Sequence, residues 1–170
     1  MSRLYLLRHA KAGWAEPGMR DFDRPLTERG RRDAAAMGMA MRASGLVPDF
    51  VLCSGARRAR ETWECVAGTI GPVPAPPAFT DSLYSCTASG YLSIVRKTAD
   101  GLSSLLVIGH NPMIEDVATA CAAEGDDAEL AALASGFPTS ALAVLQFPRQ
   151  LAEAAPGAGS LTTFLTPAML

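Results

Sequence analysis

The chain has 170 residues and a mass of 17.8 kDa, the size of one domain that can bury about two-thirds of its unfolded surface. Hydrophobic residues make up 49% and charged residues 19%, which excludes a disordered chain, and a net charge of −2 argues against a broad nucleic-acid surface. No apolar run approaches the roughly 20 residues of a membrane helix, and the stretch Leu4–Leu7 is too short for a signal peptide, so a cytoplasmic protein without a membrane partner is expected.

In chain order, Leu4–Leu7 reads as a buried strand that runs straight into Arg8-His9. A polar, Gly/Pro-punctuated loop continues to Pro25. Thr27 is placed to cap a helix whose Ala34, Met37 and Met41 recur at helical spacing until Gly45. Phe50–Cys53 is a second strand, after which Ser54 is placed to cap a helix over Arg57–Gly68. Pro72–Pro77, with four prolines in six residues, reads as a surface connection. A helix is expected over Ala88–Ala99. Leu105–Ile108 is the most apolar strand and ends in Gly109-His110-Asn111-Pro112, with a helix starting near Pro112. An Ala/Leu-rich helix over Ala128–Ala134 and late strands over Ala141–Phe147 and Leu161–Leu165 complete the chain. No repeat or linker divides it, so residues 1–170 are expected to form a single domain. The alternation of strand and helix, with near-continuously apolar early strands, predicts an α/β three-layer sandwich with a mostly parallel central sheet.

Ligands of such sheets bind at the carboxyl ends of the strands. His9 and His110, the only two histidines, both fall there, as do Ser54 and the Arg57-Arg58-Ala59-Arg60 cluster. These residue types suit phosphoryl transfer. Arginine offers a forked, permanently charged donor for phosphate, a helix N-terminus adds backbone N–H groups, and a neutral imidazole can act as the nucleophile. The four cysteines form no C-x-x-C pair and read as buried residues. The two histidines have no H-x-x-x-H partner or carboxylate-rich cluster, which makes a metallohydrolase the weaker reading.

Three motifs carry a resemblance. Leu6-Leu7-Arg8-His9-Ala10 resembles the R-H-G signature of the histidine phosphatase, or phosphoglycerate-mutase-like, superfamily. Arg58-Ala59-Arg60-Glu61-Thr62 resembles that family's R-A-x-Q/E-T helix start, and Val107–Pro112 resembles its second-histidine motif. Their order and spacing agree over residues 1 to about 120. Ala10 in place of the glycine, the Asp23–Thr27 stretch and the G-H-N-P ending make the chain most similar to the SixA-type phosphohistidine phosphatase branch. The resemblance implies that His9 is the nucleophile that becomes phosphorylated, that Arg8 and Arg58 bind the phosphoryl group, and that His110 is the second pocket histidine. It implies no cofactor and no metal.

Arg57 and Arg60 match no pocket position, and their i,i+4 spacing to Glu61 and Glu64 reads as a solvated helix face. Arg58 could also pair with Glu61 and compete with phosphate. Lys11 reads as a solvated side chain. Larger family members carry a glutamate that protonates the leaving alcohol; here the corresponding stretch, Thr80–Ser85, offers only Asp81. The expected activity is a metal-independent phosphatase that acts on phosphohistidine in a signalling or phosphocarrier protein, with the leaving nitrogen protonated by water or by His110. A small-molecule phosphomonoesterase on the same scaffold and a catalytically silent phosphoprotein-binding module are the alternatives. A monomer is expected.

Overall fold

The apolar runs assemble at the centre of one seven-stranded sheet in the computed structural model, which describes residues 1–170. The strands are β1 (Ser2–Arg8), β2 (Phe50–Ser54), β3 (Ala78–Thr80), β4 (Ser104–Gly109), β5 (Ala122–Gly125), β6 (Leu142–Phe147) and β7 (Gly159–Leu165), in the spatial order β3-β2-β4-β1-β6-β7-β5. Parallel pairings join β1 to β4, β4 to β2, β2 to β3 and β7 to β5, and only β6 runs against its neighbours. The helices are α1 (Glu28–Ala43), α2 (Arg57–Ile70), α3 (Ser82–Ser85), α4 (Ala88–Thr98), α5 (Met113–Cys121) and α6 (Asp127–Ala134).

Alternation along the central strands divides the core between the two faces. Leu4 and Leu6 of β1 join Leu105 and Val107 of β4 in one cluster, packed against Val95 of α4 and Ile114 and Val117 of α5. Tyr5 and Leu7 join Leu106 and Ile108 in the other, packed against Met37 and Met41 of α1 and Val66 of α2. Both faces are covered, which is why these strands read as continuous apolar runs. Each fully buried leucine or isoleucine contributes about 1.5–3 kcal/mol relative to exposure.

This layering creates a switch point. The chain leaves β1 for α1 on one face of the sheet, and it leaves the adjacent β4 for α5 on the other. Loops that diverge to opposite faces open a crevice at the carboxyl ends of the strands. Residues Ala10 to Leu26 cross this end and are fastened at both sides. Thr27 caps α1 as expected, accepting a hydrogen bond from the Gly30 N–H at 3.0 Å, and the Thr27 N–H reaches the Lys11 carbonyl at 2.9 Å. A Cβ at Gly30 would strike that same Lys11 carbonyl, so only glycine lets the first turn of α1 approach the segment that follows His9.

Two strands lie outside the sequence-based expectations. β3 has three residues and β5 reads Ala-Ala-Glu-Gly, and both are edge strands with little apolar surface to betray them. One expectation is corrected. Ser54 does not cap α2: the capping position is Ala56, which has no side-chain hydrogen bond. Ser54 is instead the last residue of β2, fully buried at the end of the sheet.

Candidate active site

Strand register brings the two histidines together. Arg8 of β1 lies opposite Gly109 of β4, and the His9 N–H continues the ladder to the Gly109 carbonyl at 3.0 Å. His9 and His110 therefore leave adjacent strands at the same level, with ring centroids 5.1 Å apart. In β2, Cys53 pairs with Ile108, which sets Ser54 level with Gly109, one residue before His110. Arg58 enters from the first turn of α2. His9, His110 and Arg58 are 9%, 4% and 7% exposed, burial that polar groups of this kind tolerate only when partnered.

The hydrogen bonds of His9 define its protonation state. Its Nδ1 lies 2.7 Å from the Ala10 carbonyl, which can only accept, so Nδ1 carries the proton. Nε2 keeps its lone pair and takes a hydrogen bond from the Arg58 Nε at 3.4 Å. The Ala10 N–H is held at 2.9 Å by the Thr62 hydroxyl, which itself donates to the Arg58 carbonyl, so one threonine ties the loop after His9 to α2.

His110 is held from two sides. Its Nε2 lies 2.7 Å from the Ser54 hydroxyl, and its backbone N–H donates to the Tyr91 hydroxyl at 3.2 Å. Tyr91 in turn donates to the Leu83 carbonyl. The Nδ1 of His110 is buried and has no partner within the protein. The same holds for the Nε of Arg8, whose guanidinium is otherwise fixed through one hydrogen bond to the Phe137 carbonyl at 2.9 Å. The Asn111 Oδ1 beside His110 is unpaired as well, whereas Arg8 Nε, and His110 Nδ1 if it carries a hydrogen, are buried donors that an oxyanion within reach would satisfy.

Asp21, which the sequence did not single out, clamps Arg58. The guanidinium donates to the Asp21 carbonyl at 2.8 Å and to its carboxylate at 3.1 Å, and the Tyr84 hydroxyl donates to the same carboxylate at 2.8 Å. Tyr84 also stacks beneath Arg58 and meets the edge of His110. The expected competition from Glu61 is thereby corrected. Glu61 turns away from Arg58 to take the Leu26 N–H, Arg57 and Arg31, and so anchors the loop rather than the pocket. Arg57 does pair with Glu61 at i+4, but Arg60 lies over the ring of Phe79 instead of pairing with Glu64. Asp81 sets its carboxylate against Gly55, and Lys11 is exposed.

Burial governs the titration of the site. It pushes His9 down to about 3 despite the Ala10 carbonyl, with His110, Arg58 and Arg8 adding to the shift. Burial, together with Arg58 and Arg8, lowers His110 to about 4 against the opposing pull of Asp21. Both rings are therefore neutral at pH 7. Asp21 is held at about 2, first by the hydrogen bond from Arg24 and then by Tyr84, with Arg58 contributing, and it is fully ionised.

These shifts set a pH dependence. An unfolded histidine binds its proton near pH 6.5, whereas the folded rings stay neutral until about pH 4 and below. Below pH 6.5 the unfolded chain binds more protons, so stability is unaffected above about pH 7 and falls on acidification, from 6.5 to about 4 through His110 and on to about 3 through His9. Urea unfolding in buffer free of phosphate and sulfate should show this loss, with a slope of at most about 1.4 kcal/mol per pH unit from each histidine. His110→Gln should have a shallower loss than the wild type. Identical slopes in the two proteins would contradict the burial of a neutral His110.

The model of the histidine phosphatase superfamily, branch 1, matches residues 4–84. Across nearly the whole chain, the crystal structure of a candidate phosphohistidine phosphatase SixA from Agrobacterium tumefaciens is 37% identical, covering 98% of this chain and 99% of its own with a TM-score of 0.83. The chain belongs to the histidine phosphatase superfamily. Within that superfamily it is of the SixA type: a second candidate SixA, from Nakamurella multipartitia, is 30% identical over 98% of this chain and 96% of its own, with a TM-score of 0.84. A Mycobacterium tuberculosis protein of no stated activity is 36% identical over 163 residues, 95% of this chain and 99% of its own length. The α/β sandwich of a histidine phosphatase is thus the fold observed, and the enzyme class follows from the family.

Proposed function

We propose that this phosphatase removes the phosphoryl group from phosphohistidine in a protein, by way of a phosphohistidine intermediate on His9 and without a metal ion. The observation that carries the reading is the tautomer of His9, whose lone pair on Nε2 is turned toward the Arg58 guanidinium by the hydrogen bond from Nδ1 to Ala10. In the first step, the bond from Nε2 to phosphorus forms as the substrate's P–N bond breaks, and the departing nitrogen keeps the electron pair and takes a proton. Arg8, Arg58 and His110 hold the three equatorial oxygens, with the two guanidinium charges offsetting the charge that the phosphoryl group carries. In the second step, a water oxygen bonds to phosphorus, the bond to His9 Nε2 breaks, and phosphate leaves. The 1–170 chain acts as one domain in this scheme.

Leaving-group chemistry selects the substrate. An alkoxide gains about 10²–10⁴-fold from a positioned general acid. Neither histidine has a carboxylate partner, and Asp21, the acid clamped to Arg58, is ionised at neutral pH. His110 is neutral, so it serves as a hydrogen-bond donor to oxygen and not as the source of the proton. A phosphorylated imidazole needs no such acid, because its ring can bring its own proton or take one from water and leave as a neutral group. Turnover in the presence of a strong chelator should be faster, by kcat/KM, on a phosphohistidine protein than on alkyl phosphate monoesters. A clear preference for an alkyl ester would replace this reading with the small-molecule phosphomonoesterase, and Asp81→Asn would then show whether Asp81 is the acid. Loss of activity with chelator and its recovery with a divalent ion would overturn the metal-free mechanism.

A further inference from the structure

We propose that Ser54 is a positioning residue that fixes the proton of His110 on Nδ1, the atom that meets the phosphoryl group. The inference rests on the reading of the pocket given above and extends it to a residue that the motifs leave out.

The Ser54 hydroxyl is completely buried between two groups. It accepts a hydrogen bond from the Ala56 N–H at 3.3 Å, and it lies 2.7 Å from His110 Nε2. Its single proton has one place to go. The Ala56 N–H takes one of the oxygen's two lone pairs, and His110 Nε2 is the one acceptor in reach of the hydroxyl hydrogen, so the arrangement that pairs every group of Ser54 has the hydroxyl donating to Nε2. A neutral imidazole that accepts at Nε2 carries its hydrogen on Nδ1. Nδ1 is the buried ring atom that no protein group partners. The Tyr91 hydroxyl holds the backbone N–H of the same residue, so the ring is fixed at the main chain and at its far nitrogen, with one N–H left over for a ligand.

The opposite tautomer is the poorer one at this site. It would place a hydrogen on Nε2, force Ser54 to accept it, and leave the Ser54 proton without a partner. It would also turn a lone pair on Nδ1 toward an anionic oxygen, a repulsive contact in a buried site. Ser54 thus does for His110 what the Ala10 carbonyl does for His9. The two histidines carry the same tautomer but present opposite faces of the chemistry: His9 offers a lone pair, and His110 offers a hydrogen.

The chain has only two histidines, so nitrogen NMR of the whole protein labelled with ¹⁵N-histidine reads each ring directly, with His110→Gln providing the assignment. At pH 7 the wild type should show both rings protonated at Nδ1. In Ser54→Ala the His9 signals should stay in place, while those of His110 shift toward a mixture of the two tautomers. Turnover should fall about 10- to 100-fold through kcat with little change in KM, the scale for removing a group that orients a working histidine. Ser54→Thr, which keeps the hydroxyl, should recover the tautomer and most of the rate. A wild-type His110 protonated at Nε2, or a Ser54→Ala spectrum identical to the wild type, would overturn the proposal. The spectrum does not depend on turnover. If His9→Ala were fully active the mechanism would fail with the tautomer intact, whereas an inactive His9→Ala beside a His110 protonated at Nε2 would remove only the role of Ser54.

Discussion

His9→Ala should lower turnover on a phosphohistidine protein by at least about 10³-fold, because no second nucleophile shares its context and removal of a covalent nucleophile leaves only what binding can do. The chain's other histidine cannot take over. His110 faces Ser54 with its Nε2, and its Nδ1 carries the hydrogen in the arrangement proposed above. The four cysteines are free, but the two most buried, Cys53 and Cys121, have their thiols pushed far up by desolvation, so neither supplies a thiolate at neutral pH. His9→Ala should still fold, because the ladder through β1 and the bond from the Ala10 N–H to the Thr62 hydroxyl use no atom of the His9 side chain and survive the substitution. A folded variant with near-normal kcat would contradict the assignment of His9.

Arg58→Ala should reduce kcat/KM by about 30- to 1,000-fold, the equivalent of about 2–4 kcal/mol for loss of one preorganised donor at a developing charge. Arg58→Lys should recover little, since a single ammonium cannot keep the Nε contact to His9 and the paired contacts to Asp21 at once. Asp21→Asn is the informative companion. It removes the negative charge from Arg58 but leaves the bond to the Asp21 main-chain carbonyl, so the guanidinium keeps that bond, its contact to His9 and the Tyr84 ring. Its effect on kcat/KM should be at most about tenfold. An Asp21→Asn enzyme as impaired as Arg58→Ala would show that the carboxylate itself takes part in the chemistry. The steady-state kinetics of the three variants on one phosphohistidine substrate make the comparison.

The parts of this site that were legible in the sequence are those set by chain-local rules. A strand of Leu4–Leu7 and a strand of Leu105–Ile108 announce themselves by apolar continuity, and each delivers a histidine at its carboxyl end. Arg58 follows from the helix that starts after β2. The residues that orient these groups were not legible, because their partners are distant in the chain. Asp21 sits 37 residues before Arg58, in a loop with no hydrophobic period to place it. Thr62 was visible as a motif letter, but its bond to the Ala10 N–H depends on how α2 packs beside β1. Ser54 carried a real signal, a small hydroxyl residue before a helix, and the capping rule pulled it toward the wrong partner. The helix does start at Arg57, but its capping position is Ala56, two residues after Ser54, which frees the hydroxyl for His110. Glu61 misled in the opposite direction, since i,i+3 spacing suggested Arg58, while the buried Leu26 N–H and two other arginines claimed it.

Passage of the phosphoryl group through His9 is tested most directly by quenching the enzyme within its first turnover on a ³²P-labelled phosphohistidine protein and mapping the label to a peptide. An acid-labile, base-stable label is expected on the peptide that contains His9, absent from His9→Ala, and released as inorganic phosphate when the reaction is allowed to continue. Label on another residue, or rapid phosphate release with no labelled enzyme at any time point, would contradict it.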